Sequence, residues 1–205
     1  MRLFYSAGSP YARIVRIALL ETGLDGRVTK IEVTRARLYS SESEVLTVNP
    51  TGRVPTLELD GGTVLTESQL ILNYINALSP GSRLLPCDGS DGRQTLAEMG
   101  QAWGLLDSIV AWVRAQQPES QDTKATVERE SARAIRVAAA LEISVAKNGY
   151  SGRLNAAHIV LGAGLGLLEP RVPVWAWRGG HPRLSAWFDT VSARQSFRST
   201  VPPPL

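Results

Sequence analysis

Cysteine occurs once in this chain of 205 residues, at position 87, and histidine twice, at 158 and 181. One thiol cannot build an internal disulfide framework, and two imidazoles without carboxylates at a telling spacing do not make a metal site. Cys87 has no adjacent base to activate it. Long apolar runs are missing as well: the longest, residues 159–168, is too short to cross a bilayer. The start MRLFYSAGSP lacks the apolar stretch of a signal peptide and leads straight into a strand-like segment. A cytoplasmic protein with no membrane role is expected. An excess of one charge is scarce too, because 22 Lys and Arg face 19 Asp and Glu, with the bases scattered along the chain. Nucleic-acid binding gathers bases on one face beside aromatic rings, so no nucleic-acid partner is expected. Low-complexity tracts are absent, and 43% hydrophobic against 20% charged residues is the composition of a globular chain able to bury a sizeable core.

What is present divides in two. As far as residue 79, strand and helix signals alternate. RLFY reads as a strand, residues 9–22 as a helix stopped by Gly23, and RVTKIEV as a second strand. SSESEVLTVNPTG reads as a short helix running into a loop, TLEL and TVLT as strands around the turn DGG, and residues 67–78 as another helix. The order βαβ, α, hairpin, α is that of a thioredoxin-like domain, a mixed four-stranded sheet covered by helices. Residues 80–92, rich in Gly, Pro and Ser, read as a linker. Residues 93–117 and 123–147 carry apolar side chains at helical spacing. Further helices are expected at 155–168 and 182–192, before the tail VPPPL, which cannot continue a helix. The expected fold is therefore α/β plus all-α: a thioredoxin-like domain over residues 1–79 and a helical bundle over 93–205.

Ser9 has two readings. As an N-cap it accepts a bond from a free backbone N–H, and Pro10 suits the first helical position. A hydroxyl at a helix N-terminus also sits where unsatisfied N–H groups and the macrodipole favour an anion such as a thiolate. The sequence allows both. GAGLG, residues 162–166, lacks the glycine spacing and preceding strand of a nucleotide loop and reads as small residues for close helix packing. Trp103 and Trp112 lie nine apart, on opposite sides of one helix, so only one can face the core directly. Arg13 and Arg16 read as solvent or interface groups.

The segments SPYARIVRIAL, NPTGRVPTLELDGGTVLTES and HPRLSAWFDTVSARQSF, in this architecture, resemble the cytosolic glutathione S-transferase superfamily over essentially the whole chain. The resemblance is to a bacterial-type member with a Ser at the activating position. It implies a cis bond between Val54 and Pro55, with the Val54 backbone pairing to the cysteinyl backbone of glutathione. It implies that Glu67 receives the γ-glutamyl ammonium, that Ser68 and the helix-terminal N–H groups receive the carboxylate, and that Arg53 meets the glycyl end. Ser9 is implied as the hydrogen-bond donor that stabilises the glutathione thiolate, with Ser6 and Tyr11 as weaker candidates. The implied activity is attack of that thiolate on an apolar small-molecule electrophile, in a detoxifying homodimer with glutathione as co-substrate. Trp112, Val113 and Gln116 are plausible lining for the electrophile. A non-catalytic binding or regulatory module of the same fold is the alternative.

One segment departs from the family. A Ser or Thr N-cap with Asp three residues later is replaced by Asn155 and His158. A histidine in the first turn reads as the poorer capping partner, with Leu154 and Ile159 as a substitute staple. On this reading His158→Asp raises thermal stability.

Overall fold

Residues 1–82, 84–86, 89–116 and 124–203 are described by the computed structural model. Cys87 and the expected helix ends at 117 and 123 lie outside them. The chain forms two compact units, Met1–Leu85 with Gln195–Pro203, and Pro86–Arg194.

In the first unit β1 (Arg2–Tyr5), β2 (Thr29–Glu32), β3 (Thr56–Glu58) and β4 (Val64–Thr66) form one mixed sheet in the order β2-β1-β3-β4. β1 and β2 are parallel, and β3 runs antiparallel to both β1 and β4. α1 (Pro10–Glu21) is the crossover helix. Its start follows from Ser9 and Pro10, and Gly23 ends it by taking a φ of 71° that other residues resist. Its Ile14, Ile17 and Leu19 are fully buried, and each contributes about 1.5–3 kcal/mol on leaving water. α3 (Ser68–Leu78) buries Ile71, Leu72 and Ile75 in the same way. The structure adds a short helix that periodicity does not show, α2 (Arg35–Leu38), capped by the Thr34 hydroxyl. The short helix expected in the following segment is a 3-10 turn, Glu44–Thr47.

The regular elements among the described residues of the second unit are all helices: α4 (Gly89–Ala115), α5 (Lys124–Ala146), α6 (Ala156–Arg171), α7 (Trp177–Gly180) and α8 (Pro182–Ser192). α4 packs on α5 and α6, and α8 on both of these. GAGLG lies inside α6, where a Cβ on Gly164 would stand 3.6 Å from the Leu106 Cβ, so the small residue marks a close helix crossing. Gly149 meets a stricter limit. A Cβ there would come within 2.8 Å of the Ser144 carbonyl oxygen, to which Gly149 N also donates at 2.8 Å. His181 provides no side-chain cap for α8, and the Glu142 carboxylate does so from α5, accepting from Arg183 N at 3.0 Å and Leu184 N at 2.7 Å.

His158 corrects the capping expectation. Asn155 Oδ1 accepts from Ala157 N and His158 N, and the His158 ring closes back on the cap, with Nδ1 3.3 Å from Asn155 N and 2.8 Å from Asn155 Oδ1. A neutral imidazole can therefore complete the reciprocal cap that a carboxylate would. The ring is 3% exposed and packs against Tyr150 and Trp187 at 6.1 and 6.0 Å. Asp would remove this packing and place a second carboxylate near the buried Glu98, so His158→Asp is expected to lower the melting temperature.

Burial pushes the His158 pKa down and Arg194 adds to the shift, while the Tyr150 backbone and then Glu98 oppose it. The unfolded chain therefore binds more protons than the native one below about pH 6.5. Stability is then fully present above that pH and falls as pH drops through the depressed native value. His158→Gln keeps an N3 partner that cannot titrate. The urea midpoint of the wild type is expected to fall between pH 7.5 and 5.5 more steeply than that of His158→Gln; parallel profiles would sink this account.

The chain then returns to the first unit. α9 (Gln195–Arg198) lies on α1, with Phe197 fully buried. Arg13, expected at the surface, is 3% exposed. Its Nη2 donates to the Phe197 carbonyl at 3.2 Å, its Nε to Thr200 Oγ1 at 3.4 Å, and its guanidinium lies over the Phe197 ring at 5.8 Å. Burial, with Arg16 adding, pushes its pKa down to about 10, which leaves it charged at neutral pH. A long side chain on the covered face of an amphipathic helix can be enclosed when a distant segment supplies acceptors.

Candidate functional site

The sheet register brings the three candidate segments to one end of the first unit. Phe4 of β1 pairs with Thr56 of β3, and Thr56 with Thr66 of β4. Ser9 follows β1, Val54 and Pro55 precede β3, and Glu67 and Ser68 follow β4. Neighbouring strands lie about 4.8 Å apart, so the three segments leave the sheet side by side.

Ser9 is half-buried and caps α1, with Oγ accepting from Ala12 N at 3.2 Å. Capping uses one oxygen lone pair and leaves the hydroxyl hydrogen to donate. The two readings of Ser9 are therefore compatible at one atom. Ser6 is also half-buried, and its carbonyl accepts from Ser9 N at 3.0 Å in the turn that presents Ser9. Tyr11, the other weaker candidate, is half-buried in the first turn of α1. Tyr5, which is not among the candidates, ends β1. Its hydroxyl donates to Glu32 Oε2 at 3.1 Å, its ring lies 4.6 Å below the Arg16 guanidinium, and burial first, with Glu32, raises its pKa.

The Val54–Pro55 bond is cis, Pro55 is buried and Val54 half-buried. Among the described residues, the Val54 N–H and C=O take part in no backbone hydrogen bond. Arg53 has an exposed side chain, suited to a ligand carboxylate. Its carbonyl is held from within by Asn49 and Thr56, 1% and 0% exposed. Sequence reasoning did not single out these two, although Asn before Pro-Thr-Gly is an Asx-turn signal.

Glu67 has a φ of 61°, unusual for a residue with a side chain, and an exposed carboxylate. It is the N-cap of α3 and its side chain makes no capping bond. The first helical bond is from Ile71 N to Glu67 O at 3.0 Å, which leaves the N–H groups of Ser68, Gln69 and Leu70 ahead of the ladder. Ser68 is 4% exposed. A carboxylate acceptor thus stands beside a helix N-terminus that attracts anions.

Of the residues expected to line an electrophile site, Trp112 is buried against Trp175, with ring centroids 6.0 Å apart, Val113 is half-buried and Gln116 is exposed. Among the described residues no three His, Cys, Asp or Glu gather as metal ligands, and no helix is long and apolar enough to cross a membrane.

A thioredoxin-like unit with a helical unit, and with these three segments at one sheet end, is the architecture of the glutathione S-transferases. The profile of the glutathione S-transferase N-terminal domain matches residues 8–78. A glutathione transferase family member from Pseudomonas fluorescens Pf-5, solved with bound glutathione, is 31% identical with a TM-score of 0.88 over 98% of each chain. Glutathione S-transferase 3 of Zea mays is 28% identical over 100% of this chain and 96% of its own. Maleylacetoacetate isomerase of Pseudomonas aeruginosa is 35% identical over 85 residues, 42% of this chain and 39% of that protein. The chain belongs to the glutathione S-transferase superfamily.

Proposed function

We propose that the chain binds glutathione at this sheet end and activates its thiol as a thiolate for attack on an apolar electrophile. The observation that carries the reading is the alignment of three sets of hydrogen-bonding groups that find no partner among the described residues: the Ser9 hydroxyl hydrogen, the Val54 peptide groups and the α3 N-terminus. Each meets one part of the tripeptide. Val54 pairs with the cysteinyl backbone as an added strand would, with Pro55 shaping its approach. Ser68 and the α3 N–H groups take the γ-glutamyl carboxylate, and Glu67 its ammonium. Arg53 takes the glycyl carboxylate. With the ligand so fixed, Ser9 donates to the sulfur and favours the charged form, which is the nucleophile.

Similarity to a maleylacetoacetate isomerase supports a second reaction for the same thiolate, addition followed by departure, which isomerises an alkene without consuming glutathione. The non-catalytic module has less support, since it needs neither a donor for sulfur nor an acceptor for an ammonium. Cytoplasmic location and a homodimer belong to the same proposal. Calorimetric titration with glutathione and with cysteinylglycine, which lacks the γ-glutamyl group, is the test. Saturable binding of the first alone is expected; no heat with glutathione would overturn the reading.

A further inference from the structure

Asn49 is buried yet fully satisfied. Its Nδ2 donates to the Arg53 carbonyl at 3.2 Å and to Thr56 Oγ1 at 2.8 Å, and its Oδ1 accepts from Thr51 N at 3.0 Å and Thr51 Oγ1 at 2.9 Å. Thr56, having accepted from Asn49, passes its own hydrogen to the same Arg53 carbonyl at 2.7 Å. Two buried donors therefore converge on one backbone oxygen. Thr56 is anchored in turn by its place in β3, between Phe4 and Thr66. Gly52, with a φ of 62°, lets the loop close, its N donating to the Asn49 carbonyl at 3.0 Å.

The Arg53 carbonyl shares a peptide plane with the Val54 N–H. Only the Val54–Pro55 bond is cis among the described residues, so the Arg53–Val54 bond is trans. In a trans peptide the C=O and N–H point in opposite directions. Holding the carbonyl inward on Asn49 and Thr56 turns the Val54 N–H outward, and among the described residues no backbone acceptor meets it there.

We infer that Asn49 and Thr56 are positioning residues which, by gripping the Arg53 carbonyl, aim the Val54 N–H at the cysteinyl carbonyl of glutathione. This deepens the glutathione reading and rests on it. The pair never touches the ligand. It reduces the orientational freedom that binding would otherwise have to remove, and so acts on affinity rather than on the chemistry at sulfur.

Thr56→Val removes the hydroxyl at similar volume, while Thr56→Ser retains it. Calorimetric titration with glutathione is expected to show roughly tenfold weaker binding by Thr56→Val, the loss of about one hydrogen bond, and near wild-type binding by Thr56→Ser. Amide hydrogen exchange at Val54, followed by nuclear magnetic resonance, adds a readout that needs no variant. In the ligand-free wild type this amide is expected to exchange rapidly and to become protected when glutathione is added. Protection in the ligand-free protein would overturn the inferred plane whether or not glutathione binds. Folded Thr56→Val that binds as tightly as the wild type would overturn the positioning role alone. A wild type that does not bind glutathione would overturn the functional reading and this role with it.

Discussion

Glutathione bound to Ser9→Gly is expected to ionise about 1–2 pH units higher than glutathione bound to the wild type. A hydrogen bond to a charged group contributes roughly 1.5–3 kcal/mol, and each pH unit corresponds to about 1.36 kcal/mol. Starting from a free thiol near 8.5, the wild type then ionises at roughly 6.5–7.5 and holds a substantial thiolate fraction at neutral pH, while the variant holds almost all thiol. Below the wild-type value, conjugation per enzyme falls by about 10–100-fold. Glycine is the informative replacement because Ser9 also caps α1 through Ala12 N. Alanine at an N-cap costs about 1 kcal/mol of helix stability, and glycine only a few tenths relative to Ser. A melting temperature close to wild type would show that the helix start has survived in Ser9→Gly. The thiolate absorbance in the ultraviolet, followed across pH, then reads chemistry alone. Identical titrations for wild type and Ser9→Gly would reduce Ser9 to a cap.

Phe197→Ala is expected to remove about 3–5 kcal/mol of stability from the first unit, the range for deleting a fully buried aromatic ring. The ring covers the Arg13 guanidinium, and the Phe197 carbonyl accepts from Arg13 Nη2. Opening a space beside a buried charge exposes it to a cavity that neither packs nor solvates it well. Phe197→Leu retains most of the volume and is expected to lose less. At a urea slope near 2 kcal/mol per molar, the larger loss moves the midpoint by about 2 M. The five tryptophans all lie at positions 103–187, within the second unit. Circular dichroism, which reports both units, is therefore the probe for this midpoint. An unchanged midpoint would show that the last residues add nothing to the first unit.

Where the candidate segments lie in the fold was largely legible in the sequence because their determinants are local. Ser9 before Pro10, an apolar stripe and Gly23 define α1 within one stretch of chain. DGG between two short apolar runs defines the hairpin, and TES after it places a carboxylate and a hydroxyl at a helix start. The resemblance then supplied a purpose for Val54, Pro55, Glu67 and Ser68. What remained hidden were facts about partners. The Ser9 cap was legible, since it bonds Ala12 N three residues on, but nothing local shows that Asn49 and Thr56 close on one carbonyl. His158 reads as a poor cap from the sequence because a protonated first-turn histidine opposes the helix dipole. Enclosure by Tyr150 and Trp187 favours the neutral ring, which caps well.

By itself the sequence determined the two-part architecture, the helix and hairpin punctuation and the backbone turn before β3, since periodicity, capping and turn chemistry act over a few residues. Tertiary structure alone decided that the final segment completes the first unit, that Arg13 is buried and which way the Val54 peptide faces. Arg13 and Phe197 stand 184 residues apart in the chain. Burial and hydrogen-bond pairing at that separation depend on which surfaces the folded elements bring together, and short-range residue patterns do not encode it.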